Sequence, residues 1–230
     1  MTTPTIDGAT RLFAIIGDPV STVRSPQYFN ALFAERGINA AMVALHVPAD
    51  DLATAWAGLT RMRNIAGLVI TMPHKLAACA LVDRLEDTAH LVGSINAARR
   101  ETDGRWVGDM FDGRGCVSAL VEHGHEVAGR KAFLLGVGGA GAAIATALAE
   151  AGIGELVVQD LDRAKRDGVI GRVEKAYPAS SIRAGDLAEG AFDITINATP
   201  LGMKASDPLP FDPARLPRST LVVDVITKPE

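Results

Sequence analysis

The segment Lys131–Asp160 reads KAFLLGVGGAGAAIATALAEAGIGELVVQD, and its punctuation decides the fold. An apolar run from Ala132 to Leu135 stops at Gly136. Glycines then recur at 136, 138 and 141 as G-x-G-x-x-G, and an alanine-rich helical pattern follows to Ala151. Gly152 and Gly154 interrupt it before a second apolar run, Leu156–Val158, which ends near Asp160. Strand, glycine turn, helix and strand, in this order and at this length, are the fingerprint of a dinucleotide-binding unit. Each glycine has its own task there. Gly136 turns the chain out of the strand, Gly138 lets the backbone approach a pyrophosphate, and Gly141 lets the helix lie close to the strand. The first helical turn, near Gly139–Ala142, aims its N–H groups and positive dipole end at the phosphates. The candidate cofactor residues of the turn are thus Gly136, Val137, Gly138, Gly139, Ala140 and Gly141. Asp160, 19 positions after the last glycine, can accept from a ribose 2′-hydroxyl and would repel a 2′-phosphate, which favours NAD over NADP. Arg163, Lys165 and Arg166 stand close by and weigh the other way.

Outside this segment, length and composition set the frame. A chain of 230 residues accommodates one large domain or two smaller ones, and its 48 % apolar content suffices for a core. A net charge of −4 and a pI near 5.7 argue against a nucleic-acid surface. Neither Cys79 and Cys116 nor the five histidines show metal-ligand spacing, so no metal is expected and a reduced, cytoplasmic chain is the default. The start, MTTPTIDGAT, has neither a basic n-region nor an apolar h-region. No apolar run approaches the roughly 20 residues of a membrane span. The chain stops shortly after its last apolar run, where more cover for a dinucleotide domain is expected.

Before the fingerprint, strands and helices alternate. Leu12–Ile16 reads as a strand ending in Gly17-Asp18-Pro19. Ser25 then fits an N-cap and Pro26 a first helical residue, with Phe29, Leu32 and Phe33 as the buried stripe and Gly37 as the stop. Ala40–Val47 is a strand, Asp50–Met62 a helix with Leu52, Trp56 and Leu59 inward, and Ile65–Thr71 a third strand. Short helices are expected over Leu76–Leu85 and Asp87–Val92, a strand over Ser94–Arg100, a turn at Thr102-Asp103-Gly104, and a helix from Asp112 to about His123. Ile194–Asn197 and Leu221–Val225 read as later strands. The pattern predicts an α/β protein. Its N-terminal substrate domain, residues 1–111, has a mostly parallel sheet, and a Rossmann-type NAD(P) domain follows at 112–230. Ligands in such sheets bind beyond the carboxyl ends of the strands. Thr71-Met72-Pro73-His74-Lys75 and the loop Asn197-Ala198-Thr199-Pro200-Leu201-Gly202-Met203 are therefore site candidates. Hydride chemistry needs one proton moved, for which Lys75, His74, Asp109 and Asp112 are the titratable groups at hand. His74 reads either as a neighbour tuning Lys75 or as an exposed loop histidine, and Cys116 as a small core residue.

GDPVSTVRSP, GLVITMPHK, VGSIN, DMFDGRG, GVGGAGAA and NATPLGM occur in this order. Together, from about residue 12 to 229, they resemble the shikimate/quinate dehydrogenase family. The resemblance implies hydride transfer between NAD(P) and a ring hydroxyl of shikimate, quinate or a related cyclic hydroxy acid, with Lys75 and Asp112 as the catalytic pair. It implies that Ser25 helps hold the substrate carboxylate and that Thr71 and Asn96 meet ring hydroxyls. It further implies cofactor contacts from Asn197, Thr199 and Met203. The chain departs from the family pattern at several places. Val23 replaces the first of two serines and Thr22 a histidine, so carboxylate recognition is altered or is shared with Thr22 or Arg24. Val69 stands for a common asparagine, Met110-Phe111 for Asn-Thr and Thr227 for a tyrosine. Asp160-Leu161-Asp162 stands where NADP-using relatives often carry Asn-Arg-Thr, so a leucine replaces the arginine that pairs with the phosphate. The expected enzyme is thus a divergent, NAD-preferring member, with NADP second. A non-catalytic dinucleotide or metabolite sensor is the alternative. No nucleic-acid or membrane partner is expected, and monomer and homodimer both remain open.

Overall fold

The computed structural model describes residues 6–226. Thr227 lies outside them. The chain forms two compact units that divide between Met110 and Phe111.

The first unit is built on β1 (Arg11–Gly17), α1 (Ser25–Glu35), β2 (Ala40–His46), α2 (Leu52–Arg61), β3 (Ile65–Ile70), β4 (Arg84–Leu85), α3 (Asp87–Val92), β5 (Ala97–Arg100) and β6 (Trp106–Asp109). Its sheet runs β2-β1-β3-β5-β6-β4. The β1–β2, β1–β3 and β4–β6 pairs are parallel, and β5 is antiparallel to β3 and β6. Under α1, Phe33, Ala40 and Met42 form a core joined by Phe13, Phe29 and Val69. Val69 is therefore a packing residue here. Asn30 of α1 blocks part of the open edge of β2, because its Nδ2 donates to Met42 O at 2.9 Å and its Oδ1 accepts from Met42 N at 2.8 Å.

Two expectations about its helices change in this unit. Arg24, not Ser25, is the N-cap. Its backbone is already αR and no side chain caps the helix, so Ser25 and Pro26 both lie within the first turn. Leu76–Leu85 is not a helix. A 3₁₀ turn covers Ala77–Ala80 and the chain then straightens into β4. The cause is Asp83, whose carboxylate accepts from Trp106 N at 2.7 Å and whose N–H donates to Trp106 O at 2.9 Å, which draws the segment onto β6.

The second unit contains α4 (Asp112–Glu122), β7 (Lys131–Leu135), α5 (Gly139–Glu150), β8 (Glu155–Gln159), α6 (Arg163–Ala176), β9 (Ser181–Ala184), β10 (Ile194–Asn197) and β11 (Leu221–Asp224). Its sheet is wholly parallel in the order β11-β10-β7-β8-β9, so the winding reverses between β7 and β10. Residues 141–149 of α5 are all buried, which its small side chains allow. The opposite sheet face is covered by Phe192 and Phe211 on Phe133 and Val157, with 3₁₀ turns at Leu187–Glu189 and Pro213–Arg215. α6 and β9 leave little trace in the sequence. Only Val169 and Val173 of α6 are buried, so its apolar stripe is too thin to see, and β9 is four residues long.

Candidate functional site

In the first unit the candidate residues share the edge beyond the carboxyl ends of the parallel strands. Backbone bonds draw the loops there together. Gly17 O accepts from Val47 N at 3.0 Å, Asp18 N donates to Met72 O at 2.9 Å, and Thr71 N donates to Ile16 O at 3.0 Å. The connection carrying Thr22, Val23, Arg24 and Ser25 is thus tied to the loop carrying Thr71 and Lys75. Because β5 is antiparallel, its start returns to the same edge. Ile70 N donates to Asn96 O at 2.8 Å and Ile95 N to Lys75 O at 2.9 Å. Thr71, Lys75 and Asn96 are therefore neighbours by construction, each half-buried.

His74 is not an exposed loop histidine. It is 1 % exposed, and its Nε2 lies 2.7 Å from Val47 O. A carbonyl only accepts, so Nε2 carries the hydrogen. The ring thereby fastens the Lys75 loop to the end of β2. Asp109 is also buried and accepts from Met110 N at 2.8 Å. Met110 is buried and Phe111 is exposed. Cys79 lies with its thiol 3.6 Å from Lys75 O, and burial pushes the thiols of both Cys79 and Cys116 up from their ordinary range. Neither is an activated nucleophile. Among the described residues no His, Cys, Asp and Glu cluster fits a metal ion, and no helix is long and apolar enough to cross a membrane.

In the second unit the three glycines differ in their surroundings. Gly136 has φ +91°, and a Cβ there would stand 2.7 Å from Thr199 Cγ2. A Cβ on Gly141 would stand 2.0 Å from Gly136 O, so helix and turn touch through backbone alone. A Cβ on Gly138 would meet nothing within 4 Å, which leaves space for a ligand over the turn. α5 opens at Gly138 without a side-chain cap. An open cradle at a helix N-terminus fits the pyrophosphate of a dinucleotide. Val137 N donates to Asp160 Oδ2 at 2.7 Å and Asp162 N to Asp160 Oδ1 at 2.8 Å, so the acid closing β8 is fixed against the turn. Leu161 beside it is fully exposed. Asp162 caps α6, its Oδ1 accepting from Lys165 N at 3.0 Å.

Thr199 and Met203 lie on the loop after β10, half-buried. Asn197 is placed differently from the cofactor contact expected of it. Its side chain is wholly buried and bonded to Thr199, Leu201 and Asp224. Asp224 and Asp207, which hold this loop, escaped the sequence reading. A usable signal existed for Asp224, which closes an apolar run in the way Asp160 does. Asp112 is the first residue of α4. The next residue, Gly113, crosses α5 so tightly that a Cβ would stand 2.0 Å from Ala143 O.

A family model described as the shikimate dehydrogenase substrate binding domain matches residues 15–98. A protein of Rubrobacter xylanophilus named shikimate dehydrogenase (NADP(+)) is 42 % identical over 236 aligned positions, covering 100 % of this chain and 81 % of that protein. The solved shikimate 5-dehydrogenase of Listeria monocytogenes, in complex with shikimate and NAD, superposes with a TM-score of 0.84 at 28 % identity, over 98 % of this chain and 81 % of the other. The quinate dehydrogenase of Corynebacterium glutamicum in complex with NAD gives a TM-score of 0.82 at 25 % identity, over 94 % and 80 % of the two chains.

Proposed function

The chain belongs to the shikimate dehydrogenase family of oxidoreductases acting on CH–OH groups; from that premise we propose that it moves a hydride between NAD and a ring hydroxyl of shikimate, quinate or a related cyclic hydroxy acid. The first unit binds the acid and the second the dinucleotide. The observation that carries this reading is the single strand-end edge on which Thr71, Lys75 and Asn96 meet, tied to the connection bearing Thr22, Arg24 and Ser25. A family of catalysts leaves no need for the sensor alternative.

The nicotinamide, when bound, accepts or returns the hydride. The chain handles the rest. As the hydroxyl oxygen loses its proton it gains negative charge, and the Lys75 ammonium stabilises it by donating a hydrogen bond. The hydroxyl proton leaves through water while Lys75 holds the oxygen, and in the reverse direction water returns it. Asp112 is the proposed second member of the catalytic pair. Ser25, with Thr22 and Arg24 in place of the missing serine at Val23, holds the carboxylate, and Thr71 and Asn96 hold hydroxyls.

The β8–α6 corner supports NAD over NADP. Asp160 keeps lone pairs for a ribose hydroxyl after its two backbone bonds. The N-terminus of α6, which would suit a 2′-phosphate, already carries the Asp162 carboxylate. Leu161 offers no charge to pair with a phosphate. The Rubrobacter relative is named for NADP(+), so the corner is where this chain is proposed to differ.

Initial rates with NAD and NADP against shikimate and quinate test the proposal. Turnover should be faster with NAD, and the triple change Asp160→Asn, Leu161→Arg, Asp162→Thr should move preference toward NADP by about tenfold or more. Lys75→Ala should lower kcat by about a hundredfold or more with NAD affinity kept. Faster wild-type turnover with NADP would overturn the role given to Asp160. Full activity of the Lys75 variant would overturn the catalytic assignment.

A further inference from the structure

A side-chain amide has two N–H donors and room for two hydrogen bonds at its oxygen. In Asn197, at the end of β10 and wholly buried, all four positions are used. Its Nδ2 donates to Leu201 O at 3.0 Å and to Asp224 Oδ1 at 3.1 Å. Its Oδ1 accepts from Thr199 N at 3.1 Å and from the Thr199 hydroxyl at 2.7 Å. No capacity remains for a ligand. The bonds instead fold the chain that follows. Thr199 Oγ1 accepts in turn from Leu201 N at 3.2 Å. Further along, Asp207 Oδ2 accepts from Gly202 N at 3.2 Å and Lys204 N at 3.0 Å. Residues 198–204 are thus pinned at both ends. Asp224 also accepts from Ile226 N at 2.9 Å, so the latch joins the ends of β10 and β11.

The position of this loop gives the latch a consequence. It rests on the fingerprint turn, since a Cβ on Gly136 would stand 3.0 Å from Thr199 N. The sheet order reverses between β7 and β10, and a dinucleotide straddles such a reversal. Asp160 assigns the β8 side to the adenosine half. The β10 side, with this loop, is left for the nicotinamide half.

We propose that Asn197 is a positioning residue for the nicotinamide half of the cofactor: it touches no ligand, and with Asp224 it latches the loop that presents Thr199 and Met203. The inference rests on the dinucleotide reading above. It separates the two halves of the cofactor, because the latch bears on one half only.

The test is to titrate wild-type protein, Asn197→Asp and the exchange Asn197→Asp/Asp224→Asn with NAD and with ADP, which carries the adenosine half and a pyrophosphate but no nicotinamide. Asn197→Asp removes both donors and sets two carboxylates against each other. It should weaken NAD by about tenfold or more while ADP stays within about twofold, and the exchange, which restores a donor–acceptor pair, should recover part of the loss. Thr199→Val, a milder change that keeps side-chain volume, should show the same NAD-over-ADP split in smaller measure. Equal losses for NAD and ADP, unchanged NAD binding, or an exchange variant no better than Asn197→Asp would overturn the proposal. Failure of wild-type protein to bind ADP would overturn the dinucleotide reading itself, and is recognised without any variant.

Discussion

Two glycines of one fingerprint answer to different constraints, and a methyl group tells them apart. At Gly138 an added Cβ meets nothing within 4 Å, so Gly138→Ala should fold with an unchanged Tm. That methyl would occupy the space over the turn, and NAD affinity should fall by about tenfold or more if the pyrophosphate sits there. At Gly141 the same methyl would lie 2.0 Å from Gly136 O. Gly141→Ala should cost about 3 kcal/mol, the upper part of the range for overpacking a tight site, and lower Tm visibly. Calorimetry and NAD titration on the two variants check both statements, and an inverted pattern would refute them. The spacing alone assigned these tasks, because a glycine in a strand–turn–helix unit is a backbone statement. His74 was not legible in the same way. Its burial follows from the carbonyl of Val47, and nothing local to Pro73-His74-Lys75 announces a partner 27 positions away.

At the scale of an element, α4 shows how a helix can be set by one face. Gly113 abuts Ala143 O, whereas Gly115 faces open space. Gly115→Ala should therefore stabilise the protein by about 0.5–1 kcal/mol, the helical advantage of alanine. Gly113→Ala should destabilise it by about 1–3 kcal/mol and, on the role proposed for Asp112, should also lower kcat, because it moves the turn that bears that residue. Tm and kcat on the two variants decide the matter. The strands β7–β9 carry a charged test of their own. Lys131 Nζ lies 3.0 Å from Glu155 and Arg183 Nη2 lies 3.0 Å from it on the other side. The hydrogen bond from Lys131, and then that from Arg183, hold the Glu155 carboxyl below its ordinary range. A carboxyl with a lowered folded pKa contributes stability that is present above its unfolded value, about 4.3, and lost as pH falls through the folded value. Glu155→Gln should thus have a lower Tm than wild type at pH 7, by a small margin because the pair is partly exposed. The gap should close as pH falls below about 4; a gap that persists in acid would mean packing rather than charge. Elements with a strong apolar period, such as α5, β7 and β8, were legible in sequence. β4 and α6 were not. The first is made by Asp83 pairing with a distant strand, and the second buries only Val169 and Val173.

At the scale of the whole chain, the two units are proposed to divide the chemistry, the first holding the acid and the second the dinucleotide. The family model for substrate binding lies within the first unit, at residues 15–98, and the fingerprint lies within the second. The chain splits between Met110 and Phe111, and each side has its own signature in the sequence: mixed strands and polar strand-end loops before Met110, one glycine-rich parallel unit after it. What could not be read was which strand-end residues are contacts and which are scaffolding. Asn197 and Thr71 look alike in sequence, each a polar residue closing a strand, yet Asn197 is fully buried with every hydrogen-bonding position used while Thr71 is half-buried at the edge. Hydrogen exchange makes the division measurable without any mutation. A ligand that binds only the folded state slows exchange where it holds the backbone. NAD should slow amides of Val137–Ala142 and of residues 198–204 and leave those of residues 71–75 nearly unchanged. Shikimate or quinate, whichever is turned over, should slow residues 71–75 and 94–96 in preference to the fingerprint. Protection by NAD confined to residues 71–96 would reverse the assignment of the two units, and would require the cofactor to be sought away from Gly138.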